Sequence, residues 1–384
     1  MGEQGRFSGI KKEALDRAHR VVIKVGSAVL TDRAGLDLRV VNRLADQIAL
    51  LQDQGREIVL VSSGAVAAGR GVMRSRRITE TLRCKQAVSA VGQSRLMHAY
   101  DEAFARYRKT TAQVLLTRED LKSRERFLNA RNTMLQLLQW QIIPVVNEND
   151  TVAVQELKFG DNDSLASLVL NLVEADLFIN LTSEDGVFDK NPQEFPDAEL
   201  LPVIADIDRL PVETMCCGKS VQGSGGMYSK LISARRAAQI GVPTLILSGR
   251  NHFALEKAFS GEELGTLITA GARAIARRKF WLAYNLDPAG EIVMDSGAVR
   301  AVRERGKSLL PAGITDVRGE FGKGDMVRLV DGQGNQIGAG LSNYESSELR
   351  RIKGSNSGDI QEILGHCMYT EAVHRDNMLL DAAL

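Results

Sequence analysis

Short β-branched runs alternate with long amphipathic runs along the first two-thirds of this chain, and this alternation limits the possible folds more than any other feature. Such alternation is typical of βαβ units, in which successive strands pair in parallel and the helices cover the sheet. The predicted strands are 21–26, 57–64, 112–116, 142–147, 176–182 and 242–249, and the predicted helices are 38–55, 79–107, 127–140, 165–173 and 227–241. We therefore predict an α/β fold of three layers, with an open, mainly parallel sheet and helices on both of its faces.

The pattern changes near residue 270, where a stretch of small and then basic residues predicts a linker. Candidate strands separated by glycine turns follow it, in WLAYN, EIVM, GDMVRLV and IGAGLSN. The change predicts two domains, an α/β domain over 1–270 and a small β-rich domain over 277–384.

Composition argues against several classes of protein. The net charge of +1 and the hydrophobic and charged fractions of 44% and 25% are those of an ordinary globular protein. Four cysteines without a C-x-x-C pair and five scattered histidines favour neither a disulfide framework nor a zinc site. Because no run approaches about 20 apolar residues and the N-terminus lacks a signal-like apolar run, we expect no membrane span and a cytoplasmic location.

Polar and glycine residues follow several predicted strands, at the end where ligands bind in parallel α/β sheets. They occur in KVGSAVL, SSGAVAAG, NENDTVA and TSEDGVFD, and a further glycine turn, QGSGGMYSK, precedes the last helix. Each turn alone could be an ordinary loop or helix cap. Bare N–H groups beside lysines are also a means of holding phosphate oxygens. Neither a P-loop signature nor a G-x-G-x-x-G signature is present.

The stretch FGDNDSLAS, residues 159–167, places two acids and an amide directly before a predicted helix. An N-cap needs only one such residue. Asp161, Asn162 and Asp163 therefore form either a polar turn or part of a site, and Ser164 is expected to serve as the cap.

Together these motifs resemble the amino acid kinase family. The residues that carry the resemblance are VVIKVGSAVLT, VLVSSGAVAAGR, AVGQSRL, LLTRED, RERFLNARNT, PVVNENDTVA, FGDNDSLAS and GSGGMYSK. In the second domain PAGEIVMDSGA, RGKSLLPAGI, RRIKG and AVHRDNM resemble a PUA domain. The resemblance implies the amino acid kinase fold for 1–270 and a small PUA-like barrel for 277–384.

The resemblance implies an enzyme that transfers a phosphoryl group from ATP, carried with Mg²⁺, to the γ-carboxylate of L-glutamate, the first step of proline biosynthesis. It implies that Lys24 and Lys230 are catalytic, that Asp163 organises them, and that Ser63, Asp150 and Asn162 bind glutamate. The implied ATP-binding residues are Lys24, Gly26, Thr182, Ser183, Ser224, Gly225, Gly226, Met227, Tyr228, Ser229 and Lys230. Ser183 stands where the family commonly has aspartate, and Ser224 where it commonly has threonine. Homo-oligomers and feedback inhibition by proline are further expectations from the family.

Two alternatives remain open from the sequence. Another member of the family, acting on acetylglutamate, aspartate or uridylate, would share the nucleotide half of these motifs. PUA domains bind RNA in many other proteins, but residues 277–384 hold 14 Lys and Arg against 15 Asp and Glu, a net charge of −1. Because nucleic-acid binding depends on clustered cations, this balance argues against an RNA partner.

Overall fold

The computed structural model describes residues 3–32, 35–73, 79–153, 162–212, 226–271, 274–277, 279–281 and 288–380. The chain divides into two compact units, Met1–Ala274 and Ile275–Leu384. The domain limits 1–270 and 277–384 stay a prediction, and each unit is described by itself.

One sheet forms the centre of the N-terminal unit, and it confirms the predicted α/β fold. Its strands, within the described residues, are β1 (Arg20–Val25), β4 (Glu57–Ser62), β5 (Thr111–Leu116), β6 (Ile143–Glu148), β7 (Leu177–Thr182), β8 (Val203–Ile204), β9 (Thr244–Ser248) and β10 (Thr266–Ile268). Their order is β5-β6-β4-β1-β7-β9-β10-β8, and neighbours pair in parallel except for the antiparallel pair β9–β10. The short strands β2 (Thr31–Asp32) and β3 (Gly35–Leu36) form a separate antiparallel pair.

Helices cover this sheet on both faces. They are α1 (Glu3–Arg17), α2 (Ser27–Leu30), α3 (Leu38–Asp53), α4 (Ala65–Val72), α5 (Leu82–Ala105), α6 (Arg118–Lys122), α7 (Arg124–Gln139), α8 (Asn162–Leu172), α9 (Met227–Gln239) and α10 (Ala254–Phe259). Strand residues alternate between the faces. Val21 and Ile23 pack into a core shared with α3 and α5, whereas Lys24 points to the opposite face, toward α8. No helix in the described part of the chain is both long and apolar enough to cross a membrane.

The sequence predicted the six long strands and most long helices of this unit to within a few residues, but it missed helix α1 and the short elements. Strands β8 and β10 have two and three residues, too few for a periodic pattern to register. The predicted linker, residues 268–281, overlaps ordered structure at both ends. Its first residue, Ile268, is the last residue of β10, and Phe280, next to its last residue, is fully buried.

The C-terminal unit is built on a second sheet, as the prediction of a small β-rich domain requires. Its strands are β11 (Gly290–Met294), β12 (Ile314–Gly319), β13 (Met326–Val330), β14 (Gln336–Leu341) and β15 (Met378–Leu380), in the order β12-β11-β13-β14-β15. Its helices are α11 (Ser296–Arg305), α12 (Ser346–Ile352) and α13 (Ile360–Leu364). The predicted strand WLAYN is wrong at Trp281, which is helical, and its other residues lie outside the described ones. The sequence missed β12 and β15.

Helices α4 and α5 touch backbone to backbone, and two glycines make this approach possible. A Cβ on Gly92 would lie 1.7 Å from the carbonyl oxygen of Ala65, and one on Gly69 would lie 2.0 Å from that of Val88. Helix α4 begins directly after Gly64, whose φ of +109° turns the chain sharply from β4. The glycine contact therefore fixes the turn after β4 relative to α5.

Replacing Gly92 with alanine is expected to separate α4 from α5 and to lower the free energy of unfolding by at least about 1–3 kcal/mol, the usual cost of overpacking. Urea unfolding would measure the loss. Gly9→Ala is the matched control, because Gly9 also lies in a helix but has nothing within 4 Å of a built Cβ. Equal stability of the two variants would show that the close approach is not needed.

Candidate active site

Two lysines from distant parts of the chain meet on one carboxylate at the carboxyl end of the large sheet. Lys24 Nζ, from β1, lies 2.5 Å from Asp163 Oδ1, and Lys230 Nζ, from α9, lies 3.3 Å from Asp163 Oδ2. Their exposed fractions are 3% for Lys24, 4% for Lys230 and 0% for Asp163. Because two cations share one anion, the buried cluster carries a net positive charge.

The ends of α8 and α9 explain why these groups meet. Asp163 lies in the first turn of α8 and Lys230 in the first turn of α9, and the two helices pack against each other. The N-terminal N–H groups of helices favour anions nearby. A negative group bound here would therefore face two ammonium groups and two helix N-termini.

Two neutral donors also contact the Asp163 carboxylate. Ser229 Oγ donates to Oδ2 at 2.6 Å, and Asn180 Nδ2 donates to Oδ1 at 3.0 Å. Burial by itself would raise the pKa of Asp163, but the ammonium groups of Lys24 and Lys230 outweigh it and hold that pKa well below its usual range. Asp163 is therefore a carboxylate at every pH at which an enzyme works.

The predicted glutamate residues Ser63 and Asn162 are in direct contact. Asn162 Nδ2 lies 2.9 Å from Ser63 Oγ and 3.0 Å from Asn147 Oδ1. Asn147 in turn donates to Gln93 Oε1 at 2.8 Å, which links the cluster to α5. Asn162 Oδ1 is buried and has no hydrogen-bond partner among the described residues. It is an acceptor available to a ligand with an N–H group.

Asp150, the third predicted glutamate residue, is held by α5. Ser89 Oγ donates to Asp150 Oδ2 at 2.5 Å, and Ser89 is 2% exposed. Asp150 itself is half-buried. Together with Gln93, Ser89 makes α5 the support of the candidate substrate site, a role that the sequence did not predict. Gln93 lies within the AVGQSRL motif, whereas Ser89 has no signal in the sequence beyond being a polar position in a predicted helix.

A cavity of about 220 Å³ lies on the other side of the lysine pair. The predicted residues Thr182, Ser183, Gly226 and Met227 line it, together with Glu184, Phe188, Lys190, Asn191 and Pro192, which the sequence did not single out. Ser183 Oγ donates to Glu184 Oε1 at 3.3 Å. Ser183 stands where the family commonly has aspartate, and the next residue, Glu184, brings a carboxylate to the lining of this cavity.

Gly26 lies directly after β1, beside Lys24. A Cβ there would lie 3.8 Å from Lys24 Nζ. The missing side chain leaves the space next to the ammonium group open. Tyr228, also predicted for ATP, is half-buried on α9.

Some predictions are corrected or lie outside the described residues. Ser164 is not a cap: helix α8 already begins at Asn162, and Ser164 Oγ accepts a hydrogen bond from Arg236 Nη1 at 2.8 Å. Ser224, Gly225 and Asp161 lie outside the described residues.

The described residues do not offer a cage for a metal ion, since they contain no group of three or more His, Cys, Asp or Glu side chains placed to hold one. Both oxygens of Asp163 already accept hydrogen bonds from protein donors.

Models of known protein families match residues in both units. The model of the amino acid kinase family matches residues 19–248, and that of the PUA domain matches 290–364. The glutamate 5-kinase of Maridesulfovibrio salexigens is 58% identical over 97% of this chain and 99% of its own length. That of Oleidesulfovibrio alaskensis is 57% identical over 97% and 98%, and that of Geobacter sulfurreducens 47% over 95% and 98%.

Proposed function

This chain belongs to the amino acid kinase family, and from that membership we propose that it phosphorylates the γ-carboxylate of L-glutamate with ATP, giving ADP and L-glutamyl 5-phosphate. The observation that carries the proposal is the identity of 58% with a glutamate 5-kinase over 97% of the chain. The product is an acyl phosphate, and its formation opens the route from glutamate to proline.

The reaction needs no general base. The γ-carboxylate of glutamate has an unperturbed pKa of about 4.3 and is already ionised near neutral pH. The difficulty is electrostatic, because this anion must approach a triphosphate that is also anionic. Two like unit charges about 4 Å apart repel each other by about 4 kcal/mol at an effective dielectric constant of 20. A catalyst for this step must therefore supply positive charge at the transferring group.

Lys24 and Lys230 supply that charge. Their ammonium groups are buried, where water screens them little, and they lie on opposite oxygens of Asp163. Asp163 holds both of them in place before the substrates bind. This arrangement supports a mechanism in which the γ-phosphoryl group of ATP, on its way to the carboxylate, is held between the two lysines.

Glutamate binds on the side of Ser63, Asn162 and Asp150. The Asp150 carboxylate and the open Asn162 Oδ1 suit the α-ammonium group, while the Ser63 loop and its N–H groups suit a carboxylate. The hydrogen bonds that Asn162 and Asp150 already make to Ser63 and Ser89 support this arrangement. Mg·ATP binds on the opposite side, in the cavity lined by Thr182, Ser183 and Gly226.

A panel of acceptors tests the proposal against its nearest relatives. The purified protein is incubated with Mg·ATP, hydroxylamine and, in separate reactions, glutamate, N-acetylglutamate or aspartate. UMP is tested as a fourth acceptor, and its phosphorylation is measured as ADP release because it gives no hydroxamate. We expect hydroxamate with glutamate and at most trace turnover with the others. Turnover of another acceptor in preference to glutamate would overturn the proposal.

Repeating the glutamate reaction with proline tests feedback inhibition, and light scattering tests the proposed homo-oligomer.

Replacing Asp150 with asparagine is expected to raise KM for glutamate by about tenfold or more, because a charge-assisted contact to the ammonium group is lost. KM for ATP should change little. Ser89→Ala, which leaves Asp150 charged but removes its 2.5 Å hydrogen bond, should raise KM for glutamate by a smaller factor. Ser94→Ala on the same helix is the control, since Ser94 is exposed and bonds only its own helix. An unchanged KM in Asp150→Asn would show that Asp150 does not bind glutamate.

A further inference from the structure

Asn180 is a buried polar residue in a strand whose other residues before its carboxyl end are apolar. It lies in the interior strand β7, whose sequence is LFINLT, and it is 0% exposed. Strands buried on both faces are normally runs of Val, Ile and Leu, and a buried amide without partners costs free energy. Such a residue is favoured only where its hydrogen bonds are used.

The partner of Asn180 is the carboxylate at the centre of the candidate active site. Asn180 is the register partner of Lys24 across β1 and β7, so both side chains leave the sheet on the same face. Its Nδ2 donates to Asp163 Oδ1 at 3.0 Å, the same oxygen that Lys24 contacts at 2.5 Å. The opposite amide orientation would place its oxygen against a carboxylate oxygen, so the chemistry of the contact fixes the orientation.

Asn180 is neutral, whereas the two lysines that contact Asp163 are cations. Lys24 has two tasks under the proposed mechanism, because it holds Asp163 and must also face the transferring phosphoryl group. As the ammonium group of Lys24 turns toward the phosphoryl oxygens, its hold on Asp163 Oδ1 weakens. Asn180 carries no net charge, so phosphoryl oxygens attract it less than they attract an ammonium group, and its bond to Asp163 Oδ1 is expected to persist.

We propose that Asn180 is a positioning residue for phosphoryl transfer, which holds Asp163 in place on the Lys24 side while Lys24 engages the transferring group. The inference rests on the proposed function. It concerns the turnover step, because the hydrogen bond that the amide makes among the described residues goes to Asp163, while its buried Oδ1 has no hydrogen-bond partner among them. Its loss should therefore lower kcat and leave both KM values nearly unchanged.

Two variants and one control test this inference in the hydroxamate assay. Asn180→Leu removes the donor at similar volume, and Asn180→Asp keeps the shape but replaces the donor by a carboxyl group. Thr244→Val is the control: Thr244, on the neighbouring strand β9, is fully buried and its hydroxyl has no hydrogen-bond partner among the described residues. The unfolding temperature of each variant is measured beside its kinetics.

For Asn180→Leu we expect kcat to fall about tenfold, the value of one hydrogen bond to a charged group, with both KM values within about threefold of the parent's. Thr244→Val should keep the parental kcat. If kcat of Asn180→Leu is also parental and only its unfolding temperature falls, Asn180 is a structural residue and the inference is overturned.

Asn180→Asp gives a second and independent readout through pH. The introduced carboxyl group would lie beside Asp163 Oδ1 and Lys24, where burial and the Asp163 charge raise its pKa and the ammonium groups of Lys24 and Lys230 lower it. Below that pKa it is protonated and can donate to Asp163 as the amide does; above it, it repels Asp163 and attracts Lys24. We expect kcat relative to the parent to fall as pH rises from about 6 to about 9. A pH profile parallel to that of the parent would overturn the inference.

Assaying the parent protein alongside the variants distinguishes a failure of the proposed function from a failure of the role proposed for Asn180. No hydroxamate from the parent with glutamate would refute the proposed function. An active parent with Asn180 variants that keep its kcat and its pH profile would refute only the role of Asn180.

Discussion

Lys24→Met and Lys230→Met are each expected to lower kcat by about 10²- to 10³-fold, the usual loss when one preorganised electrostatic contact to a transition state is removed. Methionine keeps much of the length and packing of lysine but carries no charge. Each variant would leave one ammonium group to face two anionic reactants. Steady-state kinetics with glutamate and Mg·ATP would measure the loss.

A third buried lysine provides the control for these variants. Lys11 is 6% exposed, and its ammonium group donates to the carbonyl oxygens of Leu264 and Gly265, at 3.0 and 2.7 Å. Lys11→Met should lower stability and leave kcat near the parental value. If Lys24→Met or Lys230→Met behaved like Lys11→Met, that lysine would be structural and not catalytic.

Asp163→Asn is expected to affect both activity and stability. The isosteric amide cannot hold two ammonium groups, so kcat should fall by at least about 10²-fold. The two buried cations would also lose the anion that they share, and removing one partner from a buried ion pair costs about 3–5 kcal/mol of stability. Kinetics and urea unfolding would measure the two effects on the same preparation.

The stability effect of Asp163 should depend on pH with a definite sign. Its pKa is held below the unfolded value by the two lysines, so its carboxylate stabilises the folded state above the unfolded pKa, and this contribution is lost as pH falls toward the folded one. The difference in unfolding free energy between parent and Asp163→Asn should be constant above about pH 5 and should shrink below about pH 4. A difference that grew on acidification would contradict the assignment of Asp163 as the shared anion.

The sequence was sufficient for the sheet and for the residues at its carboxyl edge. Runs such as VVIKV and LFINLT have the length and branching of buried strands, and parallel pairing brings their ends to one edge. That is why Lys24, Thr182 and Ser183 could be placed together. Strands of two or three residues, such as β8 and β10, carry too few side chains to show a period.

The supporting residues of the site could not be predicted, because their roles depend on contacts between distant elements. Ser89 and Gln93 are single polar positions on α5, and nothing local shows that they meet Asp150 and Asn147. Asn180 did leave a signal, an amide within an apolar strand. Only the register of β1 and β7 showed that it faces Asp163. Ser164 was misplaced because helix α8 begins three residues earlier than its apolar pattern suggested.

A crystal structure with glutamate, Mg·ADP and a phosphoryl mimic such as aluminium fluoride would test the central claim most directly. The account predicts that Lys24 Nζ and Lys230 Nζ both lie within about 3.2 Å of fluoride atoms of the mimic, with Asp163 still bonded to at least one of them. It also predicts the glutamate γ-carboxylate in line on the far side of the mimic. Ammonium groups that face different cavities, or a mimic bound away from both lysines, would contradict it.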